Sequence, residues 1–194
     1  MSRERVTTTS ELGELPVSLE EVKAHLKITV DAEDELLRNY LNAAFEWAAE
    51  STRRAIVTRD YLITRDRFPL NAWDLPLGRI QAIKSVKYID EAGLLQTWTS
   101  SPLPYESDLA TDFGPRLQPK IDDSWPVTGT FLSAAQVTVT AGWAQADIPF
   151  TIRGAILLKV AELEQARAPG DPDSAAIMSA AALMLANWTL PIWS

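Results

Sequence analysis

A chain of 194 residues with 46% hydrophobic and 23% charged residues is globular rather than disordered, and long enough to bury a core without staples. It has no cysteine and one histidine, His25, which excludes disulfides, thiolate chemistry and multi-histidine metal sites. A net charge of −8 and a pI near 4.7 argue against a dedicated nucleic-acid or acidic-membrane binder, and no stretch approaches the roughly 20 apolar residues of a membrane span.

Residues 1–16 are polar, rich in Thr, Ser and Glu, and end at Pro16; they read as a flexible arm without the apolar core of a signal peptide. Ser18 and Glu21 form an S-x-x-E capping box, and Leu19, Val22 and Leu26 then share one helical face, with His25 beside it as a surface or packed residue. A second, longer helix follows. Asp31 is its expected N-cap, and Glu33, Asp34 and Glu35 suit the positive end of its dipole without any metal. Leu36, Leu37, Tyr40, Leu41, Ala44, Phe45, Trp47 and Ala48 cover one side of it, while Arg38, Asn42, Glu46, Glu50 and Arg53 fill the other.

From about residue 57 to 143 the pattern is that of strands. Residues 57–68 are rich in β-formers, and LPLGRI (75–80) turns at Gly78. IKSVKYIDEAGLLQTW makes a strand–turn–strand about Glu91, Ala92 and Gly93. Tyr105 opens another short stretch. The loop from Thr111 to Thr130 is long and proline-broken, and it carries Phe113 and Trp125 with little to bury them nearby. In residues 134–143 Val137, Val139 and Ala141 alternate with Thr138, Thr140 and Gly142, as in a strand. Pro149 opens a third helix too apolar to be a surface one. APGDPD (168–173) breaks it, and an uncharged helix runs from Ser174 into the ending NWTLPIWS. The fold expected is α+β, a mainly helical body with an antiparallel β region inserted after the long second helix.

Catalytic signatures are absent: the sequence has no phosphate loop, G-x-G-x-x-G, H-E-x-x-H or G-x-S-x-G. The carboxylate pairs Asp122–Asp123 and Asp171–Asp173 fall in proline-broken turns, where Asp serves local backbone hydrogen bonding. No metal, nucleotide or covalent cofactor is expected. The functional signal lies in surfaces. An uncharged terminal helix and tail either closes the chain's own core or meets another protein.

The series P-V-S-L-E-E-V-K-A-H-L-K-I, D-A-E-D-E-L-L-R-N-Y-L-N-A-A, L-P-L-G-R-I-Q-A-I-K-S-V-K-Y-I-D, Trp125-Pro126 and V-T-V-T-A-G-W, before a long apolar helix, resembles the head–tail connector (adaptor, or head-completion) proteins of long-tailed bacteriophages and gene transfer agents. The resemblance covers residues 15 to about 168. It implies a structural subunit of the virion or phage-like particle, assembled in the bacterial cytoplasm. Such subunits form a dodecameric ring beneath the portal protein, extend the channel for double-stranded DNA, and dock a tail-side connector or stopper protein. On this reading residues 17–168 are the connector domain. Residues 169–194 supply a portal-binding helix and tail anchored by Trp188, Leu190, Ile192 and Trp193, and Phe113 and Trp125 serve a subunit or tail interface. The competing expectations are a small carboxylate-using hydrolase and a self-contained protein-binding domain.

Overall fold

The computed structural model describes residues 4–11, 13–100, 102–109, 114–166 and 173–190, with the side chains of 173–179 left aside. The chain divides into two compact units. Among the described residues, one comprises residues 4–13 and 58–142, and the other residues 14–57 and 143–190. The β unit is thus inserted in a helical one, as the order of sequence patterns requires.

The helical unit begins with α1 (Leu19–Leu26), where the Ser18 hydroxyl accepts from the Glu21 N–H and Glu21 accepts in return from the Ser18 N–H. That is the expected capping box. α2 (Asp34–Thr52), with Glu33 at its N-cap, starts two residues later than the Asp31 cap predicts. The Asp31 carboxylate is drawn instead to Lys23 Nζ, which also holds Asp34 at 2.8 Å. α2 buries Leu37, Leu41, Ala44, Phe45 and Ala48, the ridge read from its periodicity. Lys27 and Arg53 end α1 and α2 in the left-handed region, at φ 58° and 53°. After a 3₁₀ turn at Gln145–Asp147, α3 (Phe150–Gln165) buries Ile152, Ala155, Ile156 and Val160 against α2, and α4 (Asp173–Ala186) packs on α3 through Ala181 and Leu185. Val17, Val22, Leu37, Phe45, Ile56, Trp143, Ile152 and Leu185 are part of one core, with Trp188 packed against it.

The β unit holds two sheets. Arg5–Thr8 (β1), Arg59–Arg65 (β2), Ile80–Ile89 (β4), Leu95–Thr97 (β5) and Ala135–Ala141 (β8) form the larger, in the order β1-β2-β8-β4-β5 and antiparallel throughout. Trp73–Asp74 (β3), Tyr105–Asp108 (β6) and Arg116–Pro119 (β7) form the smaller, in the order β3-β7-β6. β8 is central in the larger sheet, and Ala135, Val137, Val139 and Ala141 are all buried on it. The expectation of a flexible arm over residues 1–16 is corrected by β1. Arg5-Val6-Thr7-Thr8 pairs with Thr64-Ile63-Leu62-Tyr61, because Val and Thr fit a pleated edge even in a polar segment. At the 75–80 turn the left-handed residue is Arg79, at φ 63°, and not Gly78.

Candidate functional site

The C-terminal segment is laid on the end of α2. An α-helix leaves its last four carbonyls without partners inside the helix. Here the Leu190 N–H donates to the Thr52 carbonyl at 3.0 Å and the Thr189 hydroxyl to the Ser51 carbonyl at 3.2 Å. The guanidiniums beyond the helix end reach back: Arg53 Nη1 donates to the Leu190 carbonyl at 3.1 Å, and Arg54 Nε to the Trp188 carbonyl at 2.6 Å. The Trp188 ring stands edge-to-face on Trp143, with centroids 5.8 Å apart, and its indole N–H donates to Thr151 Oγ1. Leu190 is 5% exposed. Of the four expected portal anchors, Trp188 is packed against the chain's own helical core and Leu190 is buried and bonded to the end of α2. Ile192 and Trp193 lie outside the described residues.

Trp125 also finds neighbours close by. It stacks on Phe68 at 4.6 Å and 9°, lies 5.1 Å from Trp98, and donates its indole N–H to the Asn71 carbonyl. Sequence reasoning missed this cluster because Phe68, Trp98 and Trp125 come from three separate segments, joined only by the sheet. Phe113 lies outside the described residues. The loop still presents apolar surface, but through other residues: Ile121 is 99% exposed and Val127 70%. Leu70, Leu94, Leu95 and Leu132 are also exposed in the β unit, and Val30, Phe150 and Leu183 in the helical one. Gly129 is fixed at the foot of this loop. A Cβ there would lie 2.6 Å from both the Asp90 carbonyl oxygen and the Phe131 ring.

The charged groups are arranged for structure. Glu21 is held below the usual carboxylate range chiefly by the Ser18 backbone N–H, aided by Arg153. Asp90 is likewise lowered, by the Gln96 amide and then the Leu94 and Ala92 N–H groups, so it organises the β4–β5 turn. Asp60 is lowered by Lys84 and Thr140. Asp122 and Asp123 are exposed in the turn after β7, and His25 is exposed on α1. Asp171 lies outside the described residues. A shallow cleft of about 400 Å³ is lined by Glu106, Ser107, Asp108, Arg116 and Gln118. Among the described residues no three His, Cys, Asp or Glu side chains gather as a metal site, and no helix is long and apolar enough to cross a membrane.

Residues 16–98 match the family model of phage gp6-like head-tail connector proteins. No curated protein sequence matches the chain. Among solved structures, the chain is similar to one in the neck of an empty gene transfer agent (GTA) particle with C6 symmetry, at 16% identity and a TM-score of 0.79 over 98% of this chain and 97% of that one. It is similar to a chain in the virion of a native gene transfer agent particle, at 17% identity and a TM-score of 0.76 over 97% of each. It is also similar to a chain in the neck of a native GTA particle with C12 symmetry, at 19% identity and a TM-score of 0.72 over 98% and 97%. The stretch that carries α1, α2 and β2 to β5 thus has the sequence pattern of the head–tail connector family, and the chain as a whole has the fold of those neck and virion chains.

Proposed function

We propose that the protein is a structural, non-catalytic subunit of the head–tail connector of a phage-like particle. The observation that carries this reading is the coincidence of two independent likenesses: the connector family's pattern over residues 16–98, and the near full-length fold of chains from particle necks. In this reading twelve copies form a ring beneath the portal protein and extend the channel through which double-stranded DNA passes. The tail-side connector or stopper protein docks on the opposite face. The acid excess, −8 per chain, suits a lumen that DNA slides through, because phosphate attraction to Lys and Arg drives non-specific binding.

The portal contact falls to the C-terminal segment. Trp188 and Leu190 fix its root on α2, which leaves Ile192, Trp193 and the uncharged outer side of α4, where Leu183 is 71% exposed, as the surface offered to the portal. The loop ending at Thr130, with Phe113 and Trp125 expected there from the sequence, is assigned to a neighbouring subunit or the tail. Trp125 acts as its internal pin, and Ile121 and Val127 are its contact residues.

The test is deletion of the gene in the particle-producing host, with complementation, read by electron microscopy. The expected result is DNA-filled heads lacking tails, restored by the wild-type chain. Normal tailed particles from the deletion strain would refute the connector reading. If tails are lost with the deletion but a chain ending at Leu190 restores them, the role of Ile192 and Trp193 fails alone.

A further inference from the structure

The larger sheet ends in two strands with little protection: Arg5 is their one charge, and β5 alone is short, at three residues. Natural edges are usually blunted by charge, proline, bulges or extreme shortness. The smaller sheet follows that rule: β3 is two residues long, and β6 carries Glu106 and Asp108. β1 and β5 follow it less. Beyond Arg5, their residues are Val6, Thr7 and Thr8 on one edge and Leu95, Gln96 and Thr97 on the other, with Leu95 56% exposed and Val6 39%.

The hydrogen-bond register shows what these edges present. In an antiparallel pair, residues alternate between bonding inward to the partner strand and pointing their N–H and C=O outward. The Thr9 N–H donates to the Asp60 carbonyl, so Thr7 and Arg5 also bond inward, and Val6 and Thr8 point outward. On the far edge the Asp90 N–H donates to the Leu94 carbonyl and the Trp98 N–H to the Val86 carbonyl. Gln96 therefore bonds inward to Tyr88, and Leu95 and Thr97 point outward. Each edge thus offers two outward residues at i and i+2, one aliphatic and one threonine.

The strand directions restrict how these edges can meet. Because all four pairings are antiparallel, β1 and β5 run the same way. Neighbours in a many-membered ring differ by a small rotation, so β5 of one copy would meet β1 of the next in parallel. A two-fold dimer would instead join like edges antiparallel.

We propose that the partner of each edge is a second copy of this chain: β5 of one subunit pairs in parallel with β1 of the next, through Leu95 and Thr97 against Val6 and Thr8. This rests on the ring reading above. At about 4.8 Å between strands, five strands and their seam occupy roughly 24 Å per copy. Twelve copies then close at roughly 290 Å, a ring about 90 Å across at the sheet.

The absence of cysteine makes the test direct. Within one copy β1 and β5 stand four strand spacings apart, roughly 19 Å, beyond the ~7 Å a disulfide spans between Cα atoms. Thr8→Cys/Gln96→Cys and Val6→Cys/Gln96→Cys cover the two registers that place Gln96 opposite an outward residue of β1. On mild oxidation of the full-length chain, at least one pair should give a ladder of multimers on a denaturing gel, and the single-cysteine variants none. Rings seen by electron microscopy without any ladder would overturn the seam and leave the ring reading standing. Dimers from a single variant would mean a two-fold contact between like edges, which also overturns it. Neither rings nor ladder would overturn both. Separately, Val6→Lys/Leu95→Lys should raise the concentration needed for assembly on the order of tenfold by setting like charges beside each other across the seam, with thermal unfolding of the subunit unchanged.

Discussion

Removing the residues after Ala186 should destabilise the helical unit by several kcal/mol, whereas removing only those after Leu190 should not. The longer deletion takes away Leu190, 5% exposed, whose burial contributes about 1.5–3 kcal/mol. It removes the Leu190 N–H from Thr52 and strips Arg54 of its Trp188 carbonyl and of the Trp188 ring 5.9 Å away. The Trp188 carbonyl accepts from the Arg54 guanidinium, itself 3% exposed, and a hydrogen bond to a charged group contributes about 1.5–3 kcal/mol. The total, about 5 kcal/mol, is a large part of the whole stability of a typical domain, ~5–15 kcal/mol. In a chain of this size it should lower the melting temperature by about 15 °C. Circular dichroism melts of the full chain and the two truncations would measure it. If the chain ending at Ala186 melts within about 5 °C of the full chain, the hydrogen bonds between the tail and α2 do not hold the unit together, and the reasoning is wrong.

Leu41→Asp should cost at least about 4 kcal/mol by burying an unpaired carboxylate at a site 3% exposed, while Glu46→Ala on the exposed side of α2 should cost about 0.5 kcal/mol or less; equal losses in urea unfolding would mean the face is misassigned. Gly129→Ala should cost about 1–3 kcal/mol, because its Cβ would press on the Asp90 carbonyl and Phe131; an unchanged urea midpoint would show that the loop gives way freely. Lys27→Gly should stabilise by about 0.5–1 kcal/mol by relieving a left-handed cap, checked by the melting temperature. Glu21, Asp60 and Asp90 have folded pKa values below their unfolded ones, so their contribution is present above the unfolded carboxylate range and is lost as pH falls through the folded values. Asp90→Asn should therefore flatten the acid limb of the stability–pH curve, and an unaltered limb would refute the assignment.

What was legible in the sequence was whatever repeats locally. The capping box at Ser18, the Leu37–Leu41–Ala44–Phe45–Ala48 ridge and the alternation along β8 are periodic signals, and each stands where the pattern put it. β1 was hidden because four polar-flanked residues carry no period of their own; their partner, β2, lies more than fifty positions away. The α2 start was misread for a similar reason. Asp31 has the chemistry of a cap, but Lys23, eight residues back, competes for the same carboxylate and wins. The Phe68–Trp98–Trp125 stack could not be foreseen from spacing, since only strand order brings those rings together.

The tail shows where such reading stops. Composition says that Trp188, Leu190, Ile192 and Trp193 must leave water, and it names no surface to receive them. The surface is set by how α2 ends. Arg53 takes a left-handed turn, so the helix stops with open carbonyls at Ser51 and Thr52 and two guanidiniums beside them. A segment with a hydroxyl and a backbone N–H at successive positions satisfies those carbonyls, and its own carbonyls satisfy the guanidiniums. Thr189 and Leu190 supply that sequence, and the Leu190 side chain is buried there. A segment bound this way is fixed at its root whatever the residues beyond it do. A portal contact made after Leu190 would then start from an anchored stem, and it would lose less chain entropy on binding than a free tail of the same composition.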